Sequence, residues 1–124
     1  MKTAYVFFNG QLEGSREFYI KLIDEKKGDI YCADGGANHL EALGIFPLEI
    51  WGDLDSVTKE IIEKYRNNNV RIKKFPKDKD YTDGELILQH ISKLNYDEII
   101  IIGGLGGRID HLLTNLNLIF KFKI

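Results

Sequence analysis

The sequence has only one cysteine, no long apolar run and no large excess of either charge. With Cys32 as its single cysteine, the chain cannot form an internal disulfide, and no Cys/His spacing suggests a zinc site. The apolar run near the N-terminus is too short for a signal sequence, and no run approaches membrane-spanning length, so the cytoplasm is the expected compartment. The 17 basic and 19 acidic residues leave a net charge of -2. This balance argues against a strongly electrostatic nucleic-acid binder, and neither nucleic acid nor membrane is an expected partner.

What the sequence does contain is an alternation of short strand patterns and longer helical patterns. Its 124 residues are 44% hydrophobic and 29% charged, which is typical of one soluble globular domain. The predicted strands are Ala4–Phe8, Ile30–Ala33, Leu48–Trp51, Val70–Phe75 and Glu98–Ile102. The predicted helices are Ser15–Ile23, Asn38–Leu43, Val57–Tyr65, Thr82–Leu94 and Ile109–Phe120. This order predicts a single-domain α/β fold: a doubly wound, mostly parallel five-stranded sheet with helices on both faces.

Aspartate is concentrated in the loops that follow the predicted strands. Seven of the ten aspartates lie there: Asp34, Asp53, Asp55, Asp78, Asp80, Asp83 and Asp110. Each alone fits a turn or a helix start, because a short carboxylate satisfies free backbone N–H groups. In open α/β sheets, however, ligands bind at the carboxyl ends of the strands, where these loops meet. So many carboxylates around one crevice repel one another unless a cation is present.

The stretch GDLDS, residues 52–56, is the strongest metal candidate. Carboxylates without histidine or cysteine favour a hard cation, Mg²⁺ or alternatively Mn²⁺. If the segment is extended, Asp53 and Asp55 point the same way and can grip one ion from one side.

The glycines of the same loops indicate phosphate. Gly35-Gly36 precede a predicted helix, and GGLGGR, residues 103–108, joins the last predicted strand to the last predicted helix. Glycines there let the backbone approach an anion, and Arg108 supplies a planar fork of donors for phosphate oxygens. Neither the Walker pattern nor the dinucleotide-binding glycine pattern is present. Lys79 lies between aspartates and fits either a solvated loop or a phosphate contact.

Four blocks in order, ADGGANHL, PLEIWGDLDS, PKDKDYTDGELIL and GGLGGRIDHLLTN, closely resemble the catalytic domain of thiamin pyrophosphokinase. The blocks span Ala33 to Asn115, each after a predicted strand. The resemblance implies transfer of a pyrophosphoryl group from ATP to the hydroxyl of thiamin, which gives thiamin diphosphate and AMP.

The resemblance also implies roles for individual residues. Asp53, Asp55 and Asp83 match the magnesium and phosphate group, while Arg108, Asp110 and Asp34 match ATP-binding or catalytic positions. Further ATP-binding positions are Lys79, Asp80, Thr82, Gly106 and Gly107. Either Asp110 or Asp34 is expected to accept the hydroxyl proton.

The family also carries a C-terminal β-sandwich domain that forms the thiamin pocket across a homodimer. Residues 1–124 are expected to be the catalytic, ATP·Mg-binding domain without that second domain, and the final LIFKFKI is a candidate strand leading into it. Two other readings stay open: a pyrophosphokinase for another alcohol such as a hydroxymethylpterin, and a non-catalytic ATP-binding module.

Overall fold

The structure is a computed structural model and describes residues 2–12, 14–75, 83–103 and 119–123, with the backbone alone for residues 83 and 119–123. The strands are β1 (Thr3–Phe7), β2 (Asp29–Ala33), β3 (Glu49–Gly52), β4 (Arg71–Lys74), β5 (Glu98–Ile102) and β6 (Ile119–Lys123). The helices in the described residues are α1 (Arg16–Glu25), α2 (Gly36–Leu43), α3 (Lys59–Asn67) and α4 (Asp83–Ile91).

All strand pairs in the sheet are parallel, in the order β4-β3-β2-β1-β5-β6. The chain therefore adds β2, β3 and β4 on one side of β1 and then crosses to place β5 on the other side. This reversal makes the carboxyl ends of β1 and β5 the topological switch point, which is where open α/β sheets bind their ligands.

Alternation along the strands divides the core between the two faces of the sheet. On β1, Ala4 and Val6 face a cluster that includes Ile87 and Ile91 of α4. Tyr5 and Phe7 face the opposite cluster, which contains buried residues of the other helices: Tyr19 of α1, Leu40 of α2 and Tyr65 of α3. Every residue of β5 is buried, as expected for a strand covered on both faces. The predicted doubly wound α/β class is confirmed.

The predicted serine cap of α1 is confirmed, whereas the predicted end of α4 is not. Ser15 caps α1, since its side-chain oxygen accepts from the N–H of Phe18 at 3.1 Å. The helix predicted from Thr82 to Leu94 ends earlier, at Ile91. Leu94 nevertheless packs against the core cluster on the α4 face.

The C-terminal prediction needs a correction. Ile119 and Phe120, placed at the end of the fifth predicted helix, instead begin β6, which pairs with β5 from Glu98↔Ile119 to Ile102↔Lys123. The sheet thus has six strands, and the ending is a strand, the alternative that its apolar pattern had suggested. The rest of that helix, residues 109–118, lies outside the described residues.

Candidate active site at the carboxyl edge of the sheet

Asp34 is the first predicted site residue at this edge, directly after β2. Its backbone adopts a φ of 43°, a left-handed conformation that aspartate tolerates better than most residues. Its N–H donates to the carbonyl of Trp51 at 2.8 Å, which fixes it beside the end of β3. Its half-buried carboxylate accepts from the N–H of Ser56 at 3.4 Å.

The segment Gly52–Ser56, which we call the acid turn, follows β3 and is not extended. Asp53 Oδ1 accepts from the N–H of Asp55 at 3.1 Å, and Leu54 between them has a φ of 67°. The parallel orientation described for an extended segment therefore does not apply, because Oδ1 of Asp53 accepts a hydrogen bond from the backbone two residues on and closes a turn. Asp53 is half-buried and Asp55 is exposed.

The acid turn is joined to the residues after β2 through Ser56. Besides donating its N–H to Asp34, Ser56 accepts at its carbonyl a 2.9 Å hydrogen bond from Asn38 Nδ2 on α2. Three of the predicted carboxylates, Asp34, Asp53 and Asp55, therefore belong to two directly bonded loops at one edge of the sheet.

The other predicted site residues have no described side chain. Asp83 begins α4, but its side chain is outside the description, so its place beside the acid turn remains a prediction. Outside the described residues altogether are Lys79, Asp80, Thr82, Gly106, Gly107, Arg108 and Asp110. Across residues 2–12, 14–75, 84–103, no group of three or more His, Cys, Asp or Glu side chains is arranged to hold a metal ion.

A groove of about 880 Å³ opens next to the acid turn, between α3 and β4. Asp53 and Asp55 line it together with the cationic side chains of Lys59, Arg66 and Lys74. Opposite charges therefore share one concave surface beside the turn.

Cys32 lies on β2, two residues before Asp34. It is buried, and burial raises the pKa of its thiol, with a smaller contribution from the negative charge of Asp34. The thiol therefore stays protonated at neutral pH and is not a nucleophile.

Sequence reasoning assigned Gly35-Gly36 to phosphate approach and missed a packing role. A Cβ on Gly36 would lie 2.1 Å from the carbonyl oxygen of Phe7 on β1. The backbone of α2 thus rests directly on the carboxyl end of the central strand, which only glycine permits. No local pattern distinguishes this use of a Gly-Gly pair from a phosphate loop.

Sequence reasoning also missed the contacts of His39 and Gly10. His39 Nε2 lies 2.7 Å from the carbonyl oxygen of Gly10, which follows β1, and the Gly10 N–H donates to the carbonyl of Gly103 at 2.7 Å. These bonds connect residues far apart in sequence, so the sequence alone does not predict them. The one sign of a role for His39 was that this polar residue belongs to the block ADGGANHL, which also contains Asp34.

Fold and site together define a doubly wound α/β domain with aspartates in the loops that follow β2 and β3, at the carboxyl edge of its sheet. Within the described part of the chain, no helix has both the length and the apolar character needed to cross a bilayer.

Comparison with known proteins assigns the family. A family profile described as "Thiamin pyrophosphokinase, catalytic domain" matches residues 20–124. The chain is 35% identical to a thiamine pyrophosphokinase of Bacillus subtilis over 98% of this chain and 56% of that protein. It is 33% identical to thiamine pyrophosphokinase 1 of Arabidopsis thaliana over 73% of this chain and 42% of that protein. The chain belongs to the thiamin pyrophosphokinase family.

A solved structure supports the same assignment. The crystal structure of thiamin pyrophosphokinase from Geobacillus thermodenitrificans aligns with a TM-score of 0.64 and 28% identity, over 93% of this chain and 52% of that one. This chain thus spans about half the length of the relatives it matches.

Proposed function

We propose that this chain is the ATP·Mg-binding, catalytic part of a thiamin pyrophosphokinase. In the proposed reaction the hydroxyl oxygen of thiamin attacks the β-phosphorus of ATP. The bond from that phosphorus to the oxygen bridging to the α-phosphate breaks, AMP leaves, and thiamin diphosphate forms. The observation that carries the proposal is the direct bonding of the Asp34 loop to the acid turn at the carboxyl edge, in a chain of this family.

The donor chemistry of the acid turn fits magnesium. Asp53 uses Oδ1 inside the turn, while Asp55 is exposed at the same edge, and both offer the hard oxygen ligands that Mg²⁺ or Mn²⁺ requires. One or two carboxylates suffice, because magnesium usually completes its shell with waters and phosphate oxygens. We propose Asp53 and Asp55, with Asp83, as the residues that would hold the ion. When bound, the ion neutralises triphosphate charge and orients the phosphates.

The rest of the catalytic work is positioning, since phosphoryl-type transfer needs little covalent help from a protein. We propose Arg108, Lys79, Asp80, Thr82, Gly106 and Gly107 as the ATP-binding positions that the family resemblance implies. We propose either Asp34 or Asp110 as the carboxylate that accepts the hydroxyl proton. Asp34 lies in the described part of the chain, one hydrogen bond from the acid turn.

The binding of thiamin, which accepts the pyrophosphoryl group, is not assigned to the described residues. We propose that thiamin binds with the help of the β-sandwich domain that the resemblance implies, in a homodimer, in the cytoplasm. The supporting fact is that this chain covers about half of its relatives' length, 56% of the Bacillus subtilis protein.

The identity of the nucleotide product tests the proposal. The chain, alone and extended by the second domain, is incubated with ATP, Mg²⁺ and either thiamin or a hydroxymethylpterin, and AMP and ADP are followed by chromatography. Thiamin-dependent AMP is the expected result. AMP that depends on the pterin would assign another acceptor, and ADP as the product would contradict pyrophosphoryl transfer altogether. ATP·Mg binding without AMP, even in the extended chain, would identify a non-catalytic module.

A further inference from the structure

Two neighbouring side chains at the start of α2 each hold a different loop of the site. Asn38 Nδ2 donates to the carbonyl of Ser56 in the acid turn at 2.9 Å. His39 Nε2 lies 2.7 Å from the carbonyl oxygen of Gly10. A carbonyl oxygen only accepts, so Nε2 of His39 carries the proton and donates it. From one turn of helix, the two side chains thus reach loops that follow β3 and β1.

The Gly10 peptide extends this connection to the far side of the crevice. Its N–H donates to the carbonyl of Gly103, the residue after β5, at 2.7 Å. A Cβ on Gly10 would lie 2.1 Å from that same oxygen, so the two backbones are in direct contact. Gly103 itself has a φ of 74° and leads in sequence into GLGGRID, which contains Arg108 and Asp110. Gly103 is therefore connected to α2 through Gly10 and His39.

The helix that holds both loops is itself fixed. Gly36 places the first turn of α2 against the carbonyl of Phe7, where even one added carbon would overlap the β1 backbone. Ala37 and Leu40 on the same helix are fully buried. Asn38 and His39 thus extend from a support that cannot shift easily, toward loops on either side of it.

We infer that Asn38 and His39 are positioning residues that fix the separation between the acid turn and Gly103. The inference rests on the proposed function, in which the acid turn holds the metal, and Arg108 and Asp110, later in the sequence than Gly103, act on the same triphosphate. Misplacing such groups by about 1 Å costs on the order of 100-fold in rate, even where each group remains intact.

A purely stabilising role predicts a different outcome. Asn38 is exposed and His39 half-buried, so neither hydrogen bond is expected to contribute much to folding stability. The same helix carries a matched reference in Glu41, whose carboxylate lies 2.8 Å from Nζ of Lys64 on α3. An ion pair at that level of exposure also contributes little to folding stability. Loss of Glu41 therefore imitates the stability effect without the positioning effect.

The test compares Asn38→Ala, His39→Ala, His39→Gln and the control Glu41→Gln. Thiamin-dependent AMP formation gives kcat and KM in the chain extended by the second domain, urea unfolding gives stability, and amide NMR spectra of this chain report on Gly10 and Gly103. We expect Asn38→Ala and His39→Ala to lower kcat about tenfold or more, with little change in KM for ATP and with the stability of Glu41→Gln. His39→Gln should restore most of the rate, since its amide nitrogen can donate to Gly10. The Gly103 amide signal should move in His39→Ala and not in Asn38→Ala.

Wild-type kcat in both alanine variants, alongside wild-type AMP formation, would overturn this inference alone. So would a rate loss in Glu41→Gln equal to that in His39→Ala, because stability would then explain both. Failure of the wild-type protein to form AMP would overturn the proposed function, and this inference with it.

Discussion

Gly36 offers a direct test of how closely α2 rests on the central strand. Replacing it by alanine adds a Cβ 2.1 Å from the oxygen and 2.7 Å from the carbon of the Phe7 carbonyl, with the Phe8 nitrogen at 3.2 Å. All three atoms are backbone of β1 or its continuation, and Phe7 pairs on both sides, with Cys32 and with Ile102. Since this backbone cannot yield, α2 must move outward by roughly 1 Å to reach ordinary contact.

The expected loss of stability follows from that displacement. Overpacking costs about 1–3 kcal/mol, and a contact against backbone belongs at the upper end of that range. Alanine recovers up to about 1 kcal/mol because it is the better helix former. We therefore expect Gly36→Ala to lower the free energy of unfolding by about 2–3 kcal/mol, which shifts a urea midpoint by roughly 1 M or more.

Gly44→Ala, at the other end of the same helix, is the matched control. Gly44 has a φ of 72° but no atom within 4 Å of the added carbon, so its substitution costs only the left-handed strain, about 1–2 kcal/mol. Urea unfolding followed by circular dichroism gives both values under two-state conditions. Equal stability for Gly36→Ala and wild type, or a smaller loss than in Gly44→Ala, would refute the close approach of α2 to β1.

Three further predictions concern the tyrosines. The Tyr65 hydroxyl is the buried side-chain atom without a hydrogen-bond partner among the described residues, so Tyr65→Phe should leave stability unchanged or raise it by up to about 1 kcal/mol in urea unfolding. Tyr96→Phe should instead lower stability by about 1–3 kcal/mol, because the Tyr96 hydroxyl bonds Asp29 at 2.6 Å and Tyr31 at 2.7 Å; a reversed order would contradict the hydrogen-bond assignment. Burial is the largest cause of a raised pKa at Tyr5, Tyr31, Tyr65 and Tyr96. Between the unfolded-state pKa and the raised native-state pKa, each of these tyrosines keeps its proton in the native state and loses it in the unfolded state. The free energy of unfolding should therefore not depend on these groups below a pH of about 10. In the pH range above it, up to the native-state pKa, the free energy of unfolding should fall by about 1.4 kcal/mol per pH unit for each tyrosine. Unfolding measured across that range, with tyrosinate absorbance as the second signal, checks the sign, and a rise in stability above pH of about 10 would contradict it.

Local patterns were sufficient to predict most of the fold. Each of the five predicted strands differs from its observed counterpart by at most one residue at either end, because β-branched and aromatic runs between turn signals define a strand without reference to its partners. The buried IIII run and the serine cap of α1 are similarly local. Asp34, Asp53 and Asp55 could be assigned to one edge because the carboxyl ends of parallel strands meet there.

Other features depend on contacts that no local pattern encodes. Strand order is set by pairing between segments that are distant in sequence. Ile119–Lys123 forms β6 because its backbone pairs with the edge of β5. The left-handed conformation of Leu54 was not predicted, because leucine is not a turn-forming residue. The turn is closed by the hydrogen bond that Asp53 Oδ1 accepts from the N–H of Asp55. The bonds of Asn38 and His39 connect residues 18 and 29 positions apart, beyond the reach of periodicity.

The claim most central to this account is that the acid turn holds the magnesium that carries ATP. The direct measurement is the Mg²⁺-dependent affinity for ATP, by titration calorimetry, of the Asp53→Asn, Asp55→Asn double variant. The matched control neutralises two carboxylates away from the site, Asp24→Asn with Glu25→Gln. Both residues lie at the end of α1 in exposed ion pairs with lysines. We expect the affinity to fall at least about tenfold, or 1.4 kcal/mol, in the acid-turn variant and to stay at the wild-type value in the control. Unchanged Mg²⁺-dependent affinity in the acid-turn variant would contradict the account.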